Sequence, residues 1–287
     1  MSISLTVCAG TDVGLVRATN EDSYVVADLA NNSLIGNAPV KDLEIGERGV
    51  LLAVSDGMGG HNAGEVASAL VVQSMTRAMA NAHDPRIDDA RVGNAVEQAN
   101  RDVWLASHSP GREKMGATLT ALYLHGPAAH FAEVGDSRAY LLRGGRLVQV
   151  THDQSYVQAL VDAGALKPED AAGSPYRNLV LQAMGQKREV RAALGRVELR
   201  EGDRFLLCSD GLTNSLDPDE MRDTILGARS MDAACKALIE LANKRGGRDN
   251  ITVILASVRG DLPAFAPQEQ ISDTVRILRE FDAHASA

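Results

Sequence analysis

Apolar residues along this chain fall mostly into short runs and alternations, and only a few stretches repeat at helical spacing. Residues 2–28 read as strand, turn, strand: SISLTVCAGT, a turn-rich span from Asp12 to Asn20, then DSYVVADL. The polar stretch NNSLIGNAPVKDLEIGERG reads as a long hairpin loop. GVLLAVSDG is a nearly continuous apolar run closed by Asp56-Gly57, the pattern of a strand covered on both faces. Spacing predicts helices from Gly64 to about Ala82 and from Asp88 to Ser107. ATLTALYL, AAHFAEVGD and SRAYLLR then follow as strands, and Gly144-Gly145 before RLVQVT predicts a two-residue hairpin.

From about Gln154 to Leu194 the pattern changes to a short helix ending near Gly164 and then PEDAAGSPYRN, a small insertion or flap between strands. RVELREGDRFLLCSDG restores the strand pattern. Helices near Asp217–Leu226 and Met231–Arg245 follow, and NITVILASV completes the sheet. No linker divides residues 1–259, which read as one domain of α+β class with antiparallel strands joined as hairpins. Residues 260–287 read as a Pro-containing linker and an amphipathic tail. Ile271, Val275, Leu278 and Phe281 space as a helix docked on the domain, or alternatively on a partner.

At 287 residues and 45% hydrophobic content the chain can bury a sizeable core. It has no run of the ~18 apolar residues a membrane span needs. Its start, MSISLTVCAG, has neither the basic nor the long apolar region of a secretory signal. Cys8, Cys208 and Cys235 are scattered, which excludes a disulfide framework and a cysteine zinc site. The expectation is a soluble, reduced, cytoplasmic protein. A net charge of −9 argues against a general nucleic-acid binder, and any anionic substrate needs local cations to reverse the field.

The acidic residues are informative once located. LLAVSDG and FLLCSDG each run an apolar strand into Ser-Asp-Gly at Asp56 and Asp210. FAEVGDS ends another strand at Asp136, and GGRDNITVIL places Asp249 just before one. One such aspartate is ordinarily a turn residue. Four at the edges of one sheet system repel each other and are costly to bury, and no matching set of Lys or Arg stands beside them. A hard divalent cation satisfies them together, and all-oxygen ligation favours Mg²⁺ or Mn²⁺ over zinc. The glycine after Asp56 leaves its own carbonyl free to turn to the same ion. VRATNEDS adds Arg17, Glu21 and Asp22, and DGMGGHNAGE adds His61. The glycine run matches neither GxxxxGKS/T nor GxGxxG, so nucleotide binding fails on spacing, and no GxSxG elbow is present.

The ordered series VRATNEDS, LLAVSDGMGGHNAGEVAS, GATLTALYL, EVGDSRAYLLRGGRLVQVTHDQS, FLLCSDGLTNSL and GGRDNITVIL resembles the metal-dependent type 2C protein serine/threonine phosphatases, the PPM family, in bacterial form. The resemblance implies a four-layer αββα sandwich of two antiparallel sheets flanked by helices. It implies that Asp56 bridges two Mn²⁺ or Mg²⁺ ions, that Asp210 and Asp249 complete the shell of the first ion, that the Gly57 carbonyl helps hold the second, and that Asp22 contacts the second mainly through water. Asp136 with Asp210 matches the pair that holds a third, weaker ion. Arg17 matches the phosphate-binding arginine and His61 the general acid.

The implied reaction is hydrolysis of phosphoserine and phosphothreonine by direct attack of a hydroxide held between the two ions. Substrates are then phosphoproteins made by a cognate serine/threonine kinase, with no nucleic acid, no membrane span and a monomeric enzyme. The alternative is a non-catalytic phosphoprotein-binding module of the same fold. Thr118 reads as support behind the site, Glu21 as solvated, Asp153 as a strand-end cap and Cys208 as core. Gln154 stands where many relatives carry histidine. Residues 29–48 and the tail have no family counterpart.

Overall fold

Val50–Met58 is buried along almost its whole length, so both of its faces need cover: a second sheet lies on one side and helices on the other. The computed structural model describes residues 2–31, 33–34, 41–59, 63–81, 88–171 and 173–282. In chain order the first elements are β1 (Ile3–Asp12), β2 (Asp22–Asp28), β3 (Ser33–Leu34), β4 (Lys41–Glu44), β5 (Val50–Met58), α1 (Ala63–Asn81) and α2 (Asp88–Ala106). Next come β6 (Gly116–Ala117), β7 (Leu119–His125), β8 (Ala128–Val134), β9 (Arg138–Arg143), β10 (Arg146–Gln149), α3 (Tyr156–Asp162) and α4 (Pro168–Ala171). The last are β11 (Ala193–Glu198), β12 (Arg204–Cys208), α5 (Asp210–Thr213), α6 (Pro218–Gly227), α7 (Met231–Lys244), β13 (Ile251–Gly260) and β14 (Val275–Arg279).

The strands form two antiparallel sheets. One has the order β10-β9-β12-β13-β1-β4, the other β14-β11-β8-β7-β5-β2-β3 with β6 paired to β5. Three apolar layers follow from strand alternation. Leu52, Val54, Phe131, Leu141, Phe205 and Ile254 fill the space between the sheets. Leu51, Ala53, Leu119 and Tyr123 face α1 and α2 on one outer side, while Leu206, Val253 and Leu255 face α5 to α7 on the other. The result is the expected αββα sandwich.

Local chemistry sets the element ends. Gly144 and Gly145 both take positive φ, +57° and +73°, as a two-residue turn matched to strand twist demands. Asp217 caps α6 reciprocally with Glu220, and the Ser230 hydroxyl caps α7.

Two expectations change. The 29–48 stretch is not a plain hairpin loop, because its two short strands join different sheets: β3 pairs with β2, and β4 with β1. In the tail no helix forms over 275–279. A single 3-10 turn, Ile271–Thr274, leads into β14, which pairs with β11 and extends the larger sheet. Val275 lies opposite Val197 and Ile277 opposite Gly195. The apolar spacing there fits either period, and the β-branched residues beside an open strand edge settle it as strand.

Candidate active site

Five strand ends meet at one end of the sandwich. Asp22 opens β2 and lies directly across from Asp56 of β5 in the antiparallel register. Asp210 opens α5 after β12, Asp136 sits in the turn from β8 to β9, and Asp249 precedes β13. Like charges placed opposite each other on strands repel, and burial strengthens that repulsion. Burial first, then the charges of Asp22, Asp210, Asp136 and Asp249, raises the Asp56 pKa well above the ordinary carboxylate range. Burial likewise pushes Asp22 up to about 7, although Thr252 and Ser209 donate to it. Asp136 rises to about 8 through burial and the Asp210 charge, and Asp210 to about 6 through burial and the Asp249 charge. Interactions with the Asp56 and Asn214 side chains oppose the Asp210 rise.

Each acid has a defined support. Asp56 is held at its backbone: its N–H donates to Thr118 Oγ1 at 2.9 Å and its carbonyl accepts from the Thr118 N–H at 2.8 Å. The Thr118 hydroxyl also meets Ser137 Oγ at 2.7 Å. Asp22 Oδ2 accepts from Ser209 Oγ at 2.7 Å and Thr252 Oγ1 at 2.6 Å, whereas its Oδ1 is buried without a partner. Asp210 Oδ2 accepts from Asn214 Nδ2 at 3.0 Å, and its Oδ1 is likewise buried and unpartnered. Asp249 Oδ2 accepts from Arg17 Nη2 at 2.8 Å, with the Arg17 side chain half exposed. At Gly57 only glycine fits, since a Cβ there would lie 2.1 Å from the Gly64 carbonyl oxygen.

Arg17, Asp136, Asp210 and Asp249 share the wall of one cleft of about 980 Å³ with Arg138 and Asp153. His61 lies outside the described residues. Asp153 is more than a strand-end cap, because Arg138 grips both its oxygens, at 2.6 to 3.0 Å. Glu21 is partly buried against α1 rather than solvated, with Oε2 2.6 Å from where a Gly64 Cβ would stand. Burial raises its pKa. Cys208 is core as expected, its thiol pushed up to about 12 by burial. Gln154 is buried and structural: its Oε1 accepts from the Gly135 N–H at 3.1 Å and its Nε2 donates to the Glu133 carbonyl at 3.0 Å.

Sequence reasoning missed Asn250, Ser209, Thr252, Ser137 and Arg138. Asn250 binds three backbone points, donating to the Val13 and Thr19 carbonyls and accepting from the Glu21 N–H, and so fixes the loop that carries Arg17. The available signal was position, since each of the five lies within three residues of a strand-end aspartate.

The donors are all oxygens, and two of them are buried without partners, so the cluster has the composition a hard divalent ion requires. Among the described residues no group of three or more His, Cys, Asp or Glu side chains stands ready, as placed, to hold a metal ion. Arg17 occupies Asp249.

Residues 41–256 match the family model described as protein phosphatase 2C. The serine/threonine protein phosphatase PstP of Mycobacterium tuberculosis is 39% identical over 265 residues, 90% of this chain and 46% of that protein. Protein phosphatase PhpP of Streptococcus pneumoniae is 36% identical over 250 residues, 86% of this chain and 95% of that protein. The chain thus spans about half the length of the mycobacterial relative and nearly all of the streptococcal one. A crystal structure of the PstP catalytic domain in complex with two manganese ions superposes with a TM-score of 0.75 at 37% identity, covering 90% of this chain and all of that one.

Proposed function

The chain belongs to the protein phosphatase 2C family, and on that premise we propose that it is a metal-dependent phosphatase of phosphoserine and phosphothreonine in proteins. One observation carries this reading: five aspartates from five strand ends converge beside Arg17 with two buried carboxylate oxygens unpartnered. Asp56, Asp210 and Asp249 would hold one Mn²⁺ or Mg²⁺ ion, Asp56, the Gly57 carbonyl and Asp22 a second, and Asp136 with Asp210 a third, weaker one. Such ions, when bound, activate water near neutral pH and offset charge on phosphoryl oxygens.

The chain's own groups do the rest. The Arg17 guanidinium is a planar, permanently charged fork that matches phosphate oxygens, and it is half exposed to the cleft. An arriving phosphate would compete with Asp249 for this guanidinium. Thr118 fixes the backbone of Asp56 on both sides, so this aspartate cannot drift as charge gathers around it. His61 protonates the departing seryl or threonyl oxygen.

The substrates are products of a serine/threonine kinase. The three cysteines are all free and buried, which agrees with a reduced, cytoplasmic setting. Among the described residues no helix is long and apolar enough to cross a membrane. The protein acts as a monomer in this reading.

The test is turnover of a phosphothreonine peptide by the Mn²⁺-loaded protein. Turnover that disappears with chelator and with Asp56→Asn supports the enzyme. Tight peptide binding without turnover supports the binding-module alternative.

A further inference from the structure

Beside the acidic cluster, one face of the molecule has the opposite sign. Helix α2 and the loop from Leu181 to Arg191 enclose a groove of about 480 Å³. Arg101, Lys187, Arg188, Arg191 and Arg279 line it, against only Glu97 and Glu189. The first four are exposed, and none of the five forms an ion pair with another described residue. On a chain of net charge −9 such a concentration reverses the local field.

This groove is built rather than incidental. Asn100 of α2 is buried. Its Nδ2 donates to the Lys187 and Arg188 carbonyls at 3.1 and 3.0 Å, and its Oδ1 accepts from the Gly185 N–H at 2.8 Å. The Gln182 amide donates to the Arg191 carbonyl at 2.9 Å and accepts from the Arg191 N–H at 2.8 Å. Cations carried on a backbone fixed in this way lose less freedom when they bind an anion.

The near end of the groove adjoins the acidic cluster. Gln186 Nε2 lies 3.5 Å from Met58 Sδ, two residues beyond Asp56. The Met184 carbonyl accepts from the Ala117 N–H at 3.2 Å, beside the Thr118 that clamps Asp56. Gln182 also donates to Gln154 Oε1 at 2.9 Å, which ties the groove to the Asp136 turn. Two residues of strand, about 7 Å at ~3.4 Å each, separate Asp56 from the Met58 that this end of the groove touches.

We propose that this groove receives an acidic stretch of the phosphoprotein substrate, a few residues from the phosphorylated side chain, and so favours sites flanked by Glu and Asp. The proposal rests on the phosphatase reading above. A peptide suits the groove better than a nucleic acid, because its described lining residues include no aromatic ring on which a base could stack.

Two phosphothreonine peptides of equal length test it, one with Glu residues on both flanks at the third to sixth positions and one with Ser there, together with p-nitrophenyl phosphate. The wild type is expected to turn over the acidic peptide with at least about tenfold higher kcat/KM, mostly through KM, with the advantage shrinking as salt rises. Lys187→Glu/Arg188→Glu and, separately, Arg101→Glu should remove that advantage and leave p-nitrophenyl phosphate within about twofold. Equal use of the two peptides by the wild type overturns the groove's role, as does an equal loss on all three substrates in the variants. If p-nitrophenyl phosphate itself is not hydrolysed, the phosphatase reading fails, and fluorescence anisotropy of a labelled acidic peptide still decides the groove. Binding there that a labelled single-stranded oligonucleotide outcompetes would assign the groove to nucleic acid and overturn the proposal.

Discussion

Asp56 and Thr118 are joined twice through the same peptide edge: the Asp56 N–H reaches the threonine hydroxyl at 2.9 Å while the Asp56 carbonyl takes the threonine N–H at 2.8 Å. The same hydroxyl meets Ser137 Oγ, so one side chain links the strand bearing Asp56 to the turn bearing Asp136.

Thr118→Val keeps the shape and removes the hydroxyl. It leaves the Asp56 N–H and the Ser137 hydroxyl buried without that partner, which costs about 1–3 kcal/mol of stability. The larger effect is expected on metal use, with the Mn²⁺ concentration for half-maximal activity rising at least about tenfold. Urea denaturation and a Mn²⁺ titration of activity read the two effects. An unchanged Mn²⁺ requirement shows that Thr118 supports only the strand.

Asp22, Asp136 and Asp210 have folded pKa values of about 7, 8 and 6 against an ordinary 3.8, and Asp56 is raised well above that value, in each case chiefly by burial. Between those limits the metal-free fold holds more protons than the unfolded chain. The stability these groups contribute is therefore present in full below about pH 4 and is lost as pH rises through the folded values. In chelator, the free energy of unfolding should fall by more than about 1 kcal/mol from about pH 5.5 to about pH 8. Saturating Mn²⁺ should oppose that loss, because an ion that binds only the folded, ionised cluster adds stability as protons leave. Denaturation curves that stay flat with pH in chelator would show that burial does not raise these carboxyls in the folded protein.

Arg17 is held by a single described ion pair, to Asp249, and its side chain is half exposed. Arg17→Ala should raise KM for an aryl phosphate about tenfold or more, with a smaller change in kcat. Arg17→Lys should fall between, since an ammonium keeps the charge and loses the planar fork. An Arg17→Ala enzyme with unaltered KM has no use for this side chain in holding phosphate.

Asp56, Asp136, Asp210 and Asp249 were legible in the sequence because each stands at one end of an apolar strand beside a glycine or turn residue, a local pattern that survives without knowledge of the fold, whereas Asp22 was reached through VRATNEDS and the family resemblance. Their supports were less so. Ser209, just after β12, and Thr252 of the neighbouring β13 reach one oxygen of Asp22, and nothing in either stretch marks a hydroxyl as facing Asp22. Asn250 works through backbone groups 229 to 237 residues away, a relation only the folded chain displays. The β4 strand was hidden because KDLE offers one apolar residue, Leu43, to the core.

Beyond residue 260 the same ambiguity of period has a measurable consequence. β14 covers the β11 edge, and Ile271 and Val275 pack into the layer between the sheets. Buried Arg143 grips Asp203 with two bonds of 2.6 Å, donates to Thr274 Oγ1 and lies over the Phe265 ring. Removing residues 261–287 therefore uncovers a strand edge, strips apolar cover and takes two partners from a buried charge. The shortened protein should lose about 2–4 kcal/mol of stability and self-associate at high concentration. None of the described side chains among those deleted lines the cleft that holds Arg17 and the aspartates, so kcat/KM for an aryl phosphate should stay within about twofold while the protein remains folded. Urea denaturation, light scattering and initial rates separate the three outcomes. A truncated chain as stable as the full one would mean that β14 rests on the sheet without contributing to it.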